Sequence, residues 1–178
     1  MRRILFVIAT VGFLAAGSQF TEAKATSESV TPAKLSVDEQ VQSMETSCAA
    51  TAEARSKRHA EKALYERLGG EKKIHALTKE IVRLHLQNES IKHHFIGVDA
   101  DKLAELVAEF VISGTGGPEV YTGRDMKSSH EHLSLTNADF LSAGGDVMQA
   151  MKNLGYGEEE INAVVCILVS LRDQVIVD

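Results

Sequence analysis

Tryptophan is absent from this chain, proline occurs only twice, and aromatic residues make up just 5% of its 178 positions. So few helix breakers, with no alternating apolar run between hairpin turn signals, speak against a sheet and leave an all-α chain rich in Ala, Leu, Glu and Lys. Cysteine is scarce as well. Cys48 and Cys166 are the whole supply, and without a C-x-x-C spacing they provide neither a thiolate zinc site nor the thioether attachment of a c-type haem. An oxidising compartment would permit them to pair, and the sequence alone leaves open whether they meet. Positive charge is in deficit, with 19 Lys and Arg against 25 Asp and Glu. That balance excludes nucleic acid as a partner, since a phosphate backbone is gripped by clustered cations.

Long apolar runs are equally rare. Ile4 to Ala16 is an uninterrupted stretch behind Arg2 and Arg3, shorter than the ~20 residues of a membrane-spanning helix. With small residues at Ala15-Ala16-Gly17 and Ala23-Lys24-Ala25, residues 1–25 read as a cleavable export signal, so the mature protein is expected to be periplasmic or secreted. A membrane is a partner only if this segment stays uncleaved. Residues 26–63 read as a linker with one polar helix: the stretch around Pro32 lacks helical periodicity, and Ser36-Val37-Asp38-Glu39 fits a capping box that starts a helix near residue 37. That helix, running on to Arg58, is polar enough to lie on the surface as a solvated spacer, or to dock weakly before the main domain.

From residue 64 to 178 the pattern becomes a helical bundle. Gly69-Gly70 stops a short helix, and Ile74, Leu77, Ile81 and Val82 open a stripe at helical spacing. A second stripe runs through Leu103, Leu106, Val107, Phe110 and Val111 and stops near Gly116-Gly117-Pro118. Thr136 caps a third, through Phe140, Val147, Met151 and Leu154, and Glu158 to Glu160 open a last helix that buries Ile161, Val164, Val165, Leu168 and Leu171. The only concentrated chemical resource is seven histidines. His130 and His132 are too close in sequence to share a helix face, so a two-histidine zinc site is not formed there.

The order of these residues resembles the group I truncated haemoglobins, shortened globins that pack two helices over two around haem. The likeness starts at Leu64-Tyr65-Glu66-Arg67-Leu68-Gly69-Gly70. It continues through Ser90-Ile91-Lys92-His93-His94-Phe95, Gly116-Gly117, Tyr121-Thr122-Gly123-Arg124 and Met126-Lys127-Ser128-Ser129-His130. The resemblance implies haem b held through His130 as the proximal iron ligand, because a neutral imidazole is the usual axial donor in oxygen-binding globins. It also implies that Phe95 packs on the haem face, that Phe110, Tyr121 and Phe140 wall the pocket, and that Lys102, Arg124 and Lys127 reach the haem propionates.

One departure from the family bears on function. Where its members usually carry a tyrosine on the second helix and glutamine or histidine on the facing one, this chain reads Val82, Leu103, Leu106 and Val107. Only Thr78 and His94 remain near enough to supply a hydrogen-bond donor. The resemblance therefore implies reversible binding of a diatomic gas (oxygen, nitric oxide or carbon monoxide) at an apolar distal pocket. A nitric oxide dioxygenase or peroxidase, served by an unidentified reductase, stands as an alternative, as does a haem carrier or electron-transfer protein.

Overall fold

In the computed structural model residues 35–118 and 121–177 are described, and every regular element among them is helical. The expected export signal over 1–25 lies outside the described residues. So does the start of the linker.

The first described helix, α1 (Val37–Ala50), begins where the serine and glutamate place it. The Ser36 hydroxyl accepts from the Glu39 amide while the Glu39 carboxylate accepts from the Ser36 amide at 2.8 Å, so two otherwise orphaned donors are satisfied reciprocally. These bonds also hold the Glu39 carboxyl below its ordinary range. This helix is not the solvated spacer expected from its composition. It packs against the two C-terminal helices, buries Val41 and Cys48, and is tied to the last helix by a Cys48–Cys166 disulfide. Composition misled because two inward positions and one covalent bond are enough to dock an otherwise polar helix. α2 (Ala52–Glu61) buries nothing and is held at its end by an Arg58–Glu159 ion pair at 2.7 Å.

The bundle proper starts with the one-turn α3 (Leu64–Arg67), after which Gly69 and Gly70 take φ of 90° and 75°. Residues with a Cβ resist that left-handed region, so the paired glycines let the chain fold straight back into α4 (Glu71–Gln87). A 3₁₀ turn over Lys92–Phe95 leads to α5 (Ala100–Gly114), capped by the Asp99 side chain on the Lys102 amide at 3.1 Å. The short α6 (Met126–His130) carries the candidate ligand, and α7 (Asn137–Asn153) and α8 (Glu158–Val175) complete the chain.

Two antiparallel pairs result, α4 with α5 and α7 with α8, joined chiefly through α4 and α7. Between them lies a core of Leu64, Leu68, Ile74, Leu77, Ile81, Ala108, Ile112, Val147, Ala150, Met151, Ile161 and Val164. Burying each large aliphatic chain of this set contributes about 1.5–3 kcal/mol before the entropy of ordering it. Polar clamps hold the ends: Arg67 pairs with Glu160 at 2.8 Å and the Tyr156 hydroxyl donates to the Leu68 carbonyl at 2.8 Å.

Because the disulfide closes a loop across 118 residues, opening it releases a large denatured-state restraint. Replacing Cys48 and Cys166 together with serine is expected to lower unfolding free energy by about 2–4 kcal/mol. Denaturant unfolding of the oxidised natural protein against the double variant checks this, and coincident curves would contradict it.

Candidate functional site

The candidate site is built around α6, and Asp125 is what makes so short a helix form. Its carboxylate accepts from the Ser128 amide at 2.8 Å and from the Ser128 hydroxyl at 2.9 Å, capping the first turn. Those bonds hold the Asp125 carboxyl below its ordinary value. One turn on, His130 sends Nδ1 to the Met126 carbonyl oxygen at 2.7 Å. A carbonyl only accepts, so Nδ1 carries the proton, and in the neutral ring Nε2 is left with a lone pair. His130 itself is half-buried. After it the chain turns through Ser134, which adopts φ 50°, before Thr136 caps α7.

A second set of site candidates lies on α5. Ala104, Ala108 and Ile112 are buried on the side toward α4, whereas Leu103, Leu106, Val107 and Phe110 are only half-buried. At about 100° per residue those four fall on nearly the opposite face of the helix from the buried set. They are apolar side chains left half-buried and outside the core. Phe110 meets Tyr121 edge to face, with ring centroids 5.3 Å apart and planes at 79°. The Tyr121 hydroxyl donates to the Arg124 carbonyl at 2.9 Å, and its ring lies over Gly123 so closely that any Cβ there would overlap it. Phe140 on α7 is also half-buried, and one turn further Gly144 has open space where a side chain would stand.

Val82 is buried on α4 but lies apart from the main core cluster. Thr78, one turn before it, is fully buried and spends its hydroxyl on the His75 carbonyl at 3.2 Å. His94 is turned toward the start of α7, its Nε2 buried without a hydrogen bond and 3.8 Å from Asp139 Oδ1. Burial alone would push the Asp139 carboxyl up, but Thr136 hydrogen bonds and the nearby His94 and His93 outweigh that and leave it lowered. Lys102, Arg124 and Lys127 are exposed, and none forms an ion pair with a carboxylate among the described residues.

Of the residues singled out in the sequence, direct contact therefore joins Phe110 to Tyr121, while the others are distributed over α4, α5, α6 and α7. Sequence reasoning missed the polar cluster behind Phe95. There, His85 stacks on the Phe95 ring and Asp146 bonds the His85 imidazole. The signal available was helical spacing: His85 and Asn88 lie on one side of α4's end, Ser142 and Asp146 one turn apart on α7.

An imidazole nitrogen with a free lone pair, half-buried apolar side chains and unpaired cations on and near α5 and α6 fit an iron porphyrin. The bacterial-like globin family profile matches residues 63–176. This chain is a bacterial-like globin. A group 1 truncated haemoglobin of Tetrahymena pyriformis is 28% identical over 109 residues, covering 61% of this chain and 90% of that protein. One from a Synechocystis species is 30% identical over 108 residues, 58% of this chain and 87% of the other. Among solved structures, the iron(III) form of a tyrosine-to-phenylalanine variant of the Tetrahymena pyriformis truncated haemoglobin superposes with a TM-score of 0.62. That match is at 28% identity, over 66% of this chain and all of that one. The cyanomet 2/2 haemoglobin of a Synechococcus species, with covalently attached haem, gives 0.61 at 25% identity, over 64% and 98%. The fold is thus the two-over-two globin, and the protein is a haem-binding globin. Residues 35–62, with α1 and α2, precede the matched region.

A carboxylate with a lowered folded-state value contributes its full stabilisation above the ordinary range, near pH ~3.9, and loses it as pH falls through that lower value. Acidification of the globin should therefore release haem in part through uncapping of α6 below about pH 4. Asp125→Asn keeps a side-chain cap without a titrating group and should remove that component from the acid titration of haem absorbance. An unchanged acid profile would contradict this role for Asp125.

Proposed function

We propose that this globin holds haem b through Nε2 of His130 and takes up weakly polar diatomic gases, nitric oxide or carbon monoxide, in preference to oxygen. The observation that carries the reading is the chemistry of the candidate pocket side chains. Val82, Leu103, Leu106 and Val107 offer no donor, and the one nearby hydroxyl, on Thr78, already donates to a backbone carbonyl. Haem supplies a ferrous iron able to bind a small gas reversibly. The chain supplies the rest: Met126 orients the ligand imidazole, Phe95, Phe110, Tyr121 and Phe140 exclude water, and Lys102, Arg124 and Lys127 offer cations to the propionates.

Dioxygen draws negative charge when it is held, and preorganised donors stabilise such charge most strongly in a dry site. Nitric oxide and carbon monoxide ask for far less. The same lack of donors disfavours a nitric oxide dioxygenase or a peroxidase, which work through polarised oxygen and normally need distal acid–base groups. For location we propose export. Arg2, Arg3 and the apolar run Ile4 to Ala16 support it, and so does a disulfide that joins two helices, a bond kept in oxidising compartments.

Oxygen dissociation measured by stopped flow tests the proposal. The natural protein should release oxygen rapidly, and Leu103→Gln, which introduces a donor, should slow release about 10- to 100-fold, the range for a hydrogen bond to a charged group. Slow release by the natural protein, unaltered by the substitution, would overturn the apolar-pocket reading.

A further inference from the structure

Phe95 sits where regular structure gives way to an exposed loop. It ends a 3₁₀ turn whose continuation, Ile96 to Val98, is exposed, with Ile96 at 84% of its full accessibility and Gly97 at φ 78°. An aromatic ring on such a loop has a broad χ2 well and little packing of its own to hold it. One ring backs it. The His85 imidazole, in the last turn of α4, lies against it with centroids 5.5 Å apart and planes at 25°.

That backing ring is itself fixed from the opposite helix. His85 Nδ1 is 2.9 Å from Asp146 Oδ2, and both side chains are largely buried, at 13% and 16% exposure. The same carboxylate oxygen accepts from Asn88 Nδ2 at 2.9 Å, and that amide also reaches the Ser142 hydroxyl at 3.0 Å. A carboxylate accepts only, so Nδ1 is the protonated nitrogen of His85 and the ring cannot flip without losing its bond to Asp146. Three polar side chains, Asp146, Asn88 and Ser142, thus converge to hold one imidazole against one phenyl ring. A half-buried position filled for stability alone would be met at lower desolvation cost by an aliphatic side chain, as at Ile74, Leu77, Ile81 and Val82 of the same helix.

We propose that His85, oriented by Asp146, is a positioning residue for haem: it holds Phe95 as a fixed wall, and so sets the seating and retention of the haem that the wall faces. This rests on the reading that Phe95 packs against haem bound at His130. Haem b is unsymmetrical about its vinyl edge and enters a pocket in either of two orientations, so the shape of the wall decides their ratio. Loosening Phe95 blurs that choice and opens a path for haem loss.

The test compares the full chain, loaded with haem, in its natural form and as His85→Leu, His85→Phe, Asp146→Asn and His130→Ala. Three readouts are taken: the ratio of the two haem orientations from hyperfine-shifted methyl resonances, haem loss to an apo-globin acceptor, and thermal unfolding of the haem-free protein. His85→Leu should bring the orientation ratio toward unity and speed haem loss about three- to tenfold, the factor for losing an aromatic pair. His85→Phe, which keeps a ring and forfeits the bond to Asp146, should restore most of the retention, and Asp146→Asn should lie between. Equal orientation ratios and loss rates in His85→Leu and the natural protein would overturn the proposal. A fall in thermal stability with both haem readouts unmoved would overturn it too, leaving His85 a structural residue. His130→Ala separates the two layers. If it keeps histidine-ligated spectra, the ligand reading fails and this inference with it, whereas loss of those spectra with unmoved His85 readouts refutes the positioning role alone.

Discussion

An imidazole presents two nitrogens of opposite character, and where one sends its proton decides which is left to accept a metal. In His130 that decision is made by the backbone of its own helix, one turn back at the Met126 carbonyl. The bond requires a formed turn of helix between residues 126 and 130, which in turn requires the Asp125 cap, because a helix this short has no cooperative length of its own. Everything else at the site is arranged round this constraint. α8 packs against α6 and holds it in place, and Thr136 restarts the chain beyond it.

The α5 side chains and Phe95 are set up on different principles. The outer face of α5 is apolar and offers nothing for a ligand to bond with, whereas Phe95 is backed by a part-buried polar network of His85, Asp146, Asn88 and Ser142. Polar groups buried in this way are tolerated only because each finds a partner, and once paired they fix geometry more sharply than apolar packing does. The chain therefore spends its hydrogen bonds on holding shape and withholds them from the ligand. Away from these residues, the disulfide and α1 extend the globin bundle at its α7–α8 face, beyond the region shared with the family profile.

Much of the bundle was legible in the sequence because local rules and the hydrophobic period agreed. The capping serine at 36 and threonine at 136, the paired glycines at 69 and 70, and the stripe from Ile74 appear where the patterns place them, whereas α5 buries Ala104, Ala108 and Ile112 instead of the stripe from Leu103, and of the last stripe Ile161 and Val164 are buried while Val165, Leu168 and Leu171 are half-buried. The helix at 37–50 was legible as a helix but not as a packed one, since docking rests on Val41 and on a cysteine whose partner is far along the chain. The tautomer of His130 was half-visible, because an i−4 carbonyl is always within reach of a helical side chain, although only coordinates show which nitrogen takes it. The commitment of the Thr78 hydroxyl to His75 and the turning of His94 toward Asp139 were not legible. Both are matters of rotamer and tertiary approach, on which spacing is silent.

The central claim is that His130 supplies the metal's protein ligand through the nitrogen its backbone bond leaves free. The most direct test is resonance Raman spectroscopy of the ferrous, ligand-free protein, natural and His130→Ala, with imidazole added to the variant. The account gives an iron–histidine stretching band in the natural protein, its loss in His130→Ala, and its return at a shifted frequency when free imidazole occupies the vacated position without the Met126 bond. An iron–histidine band that survives the substitution unaltered would contradict it and move the ligand to another of the seven histidines.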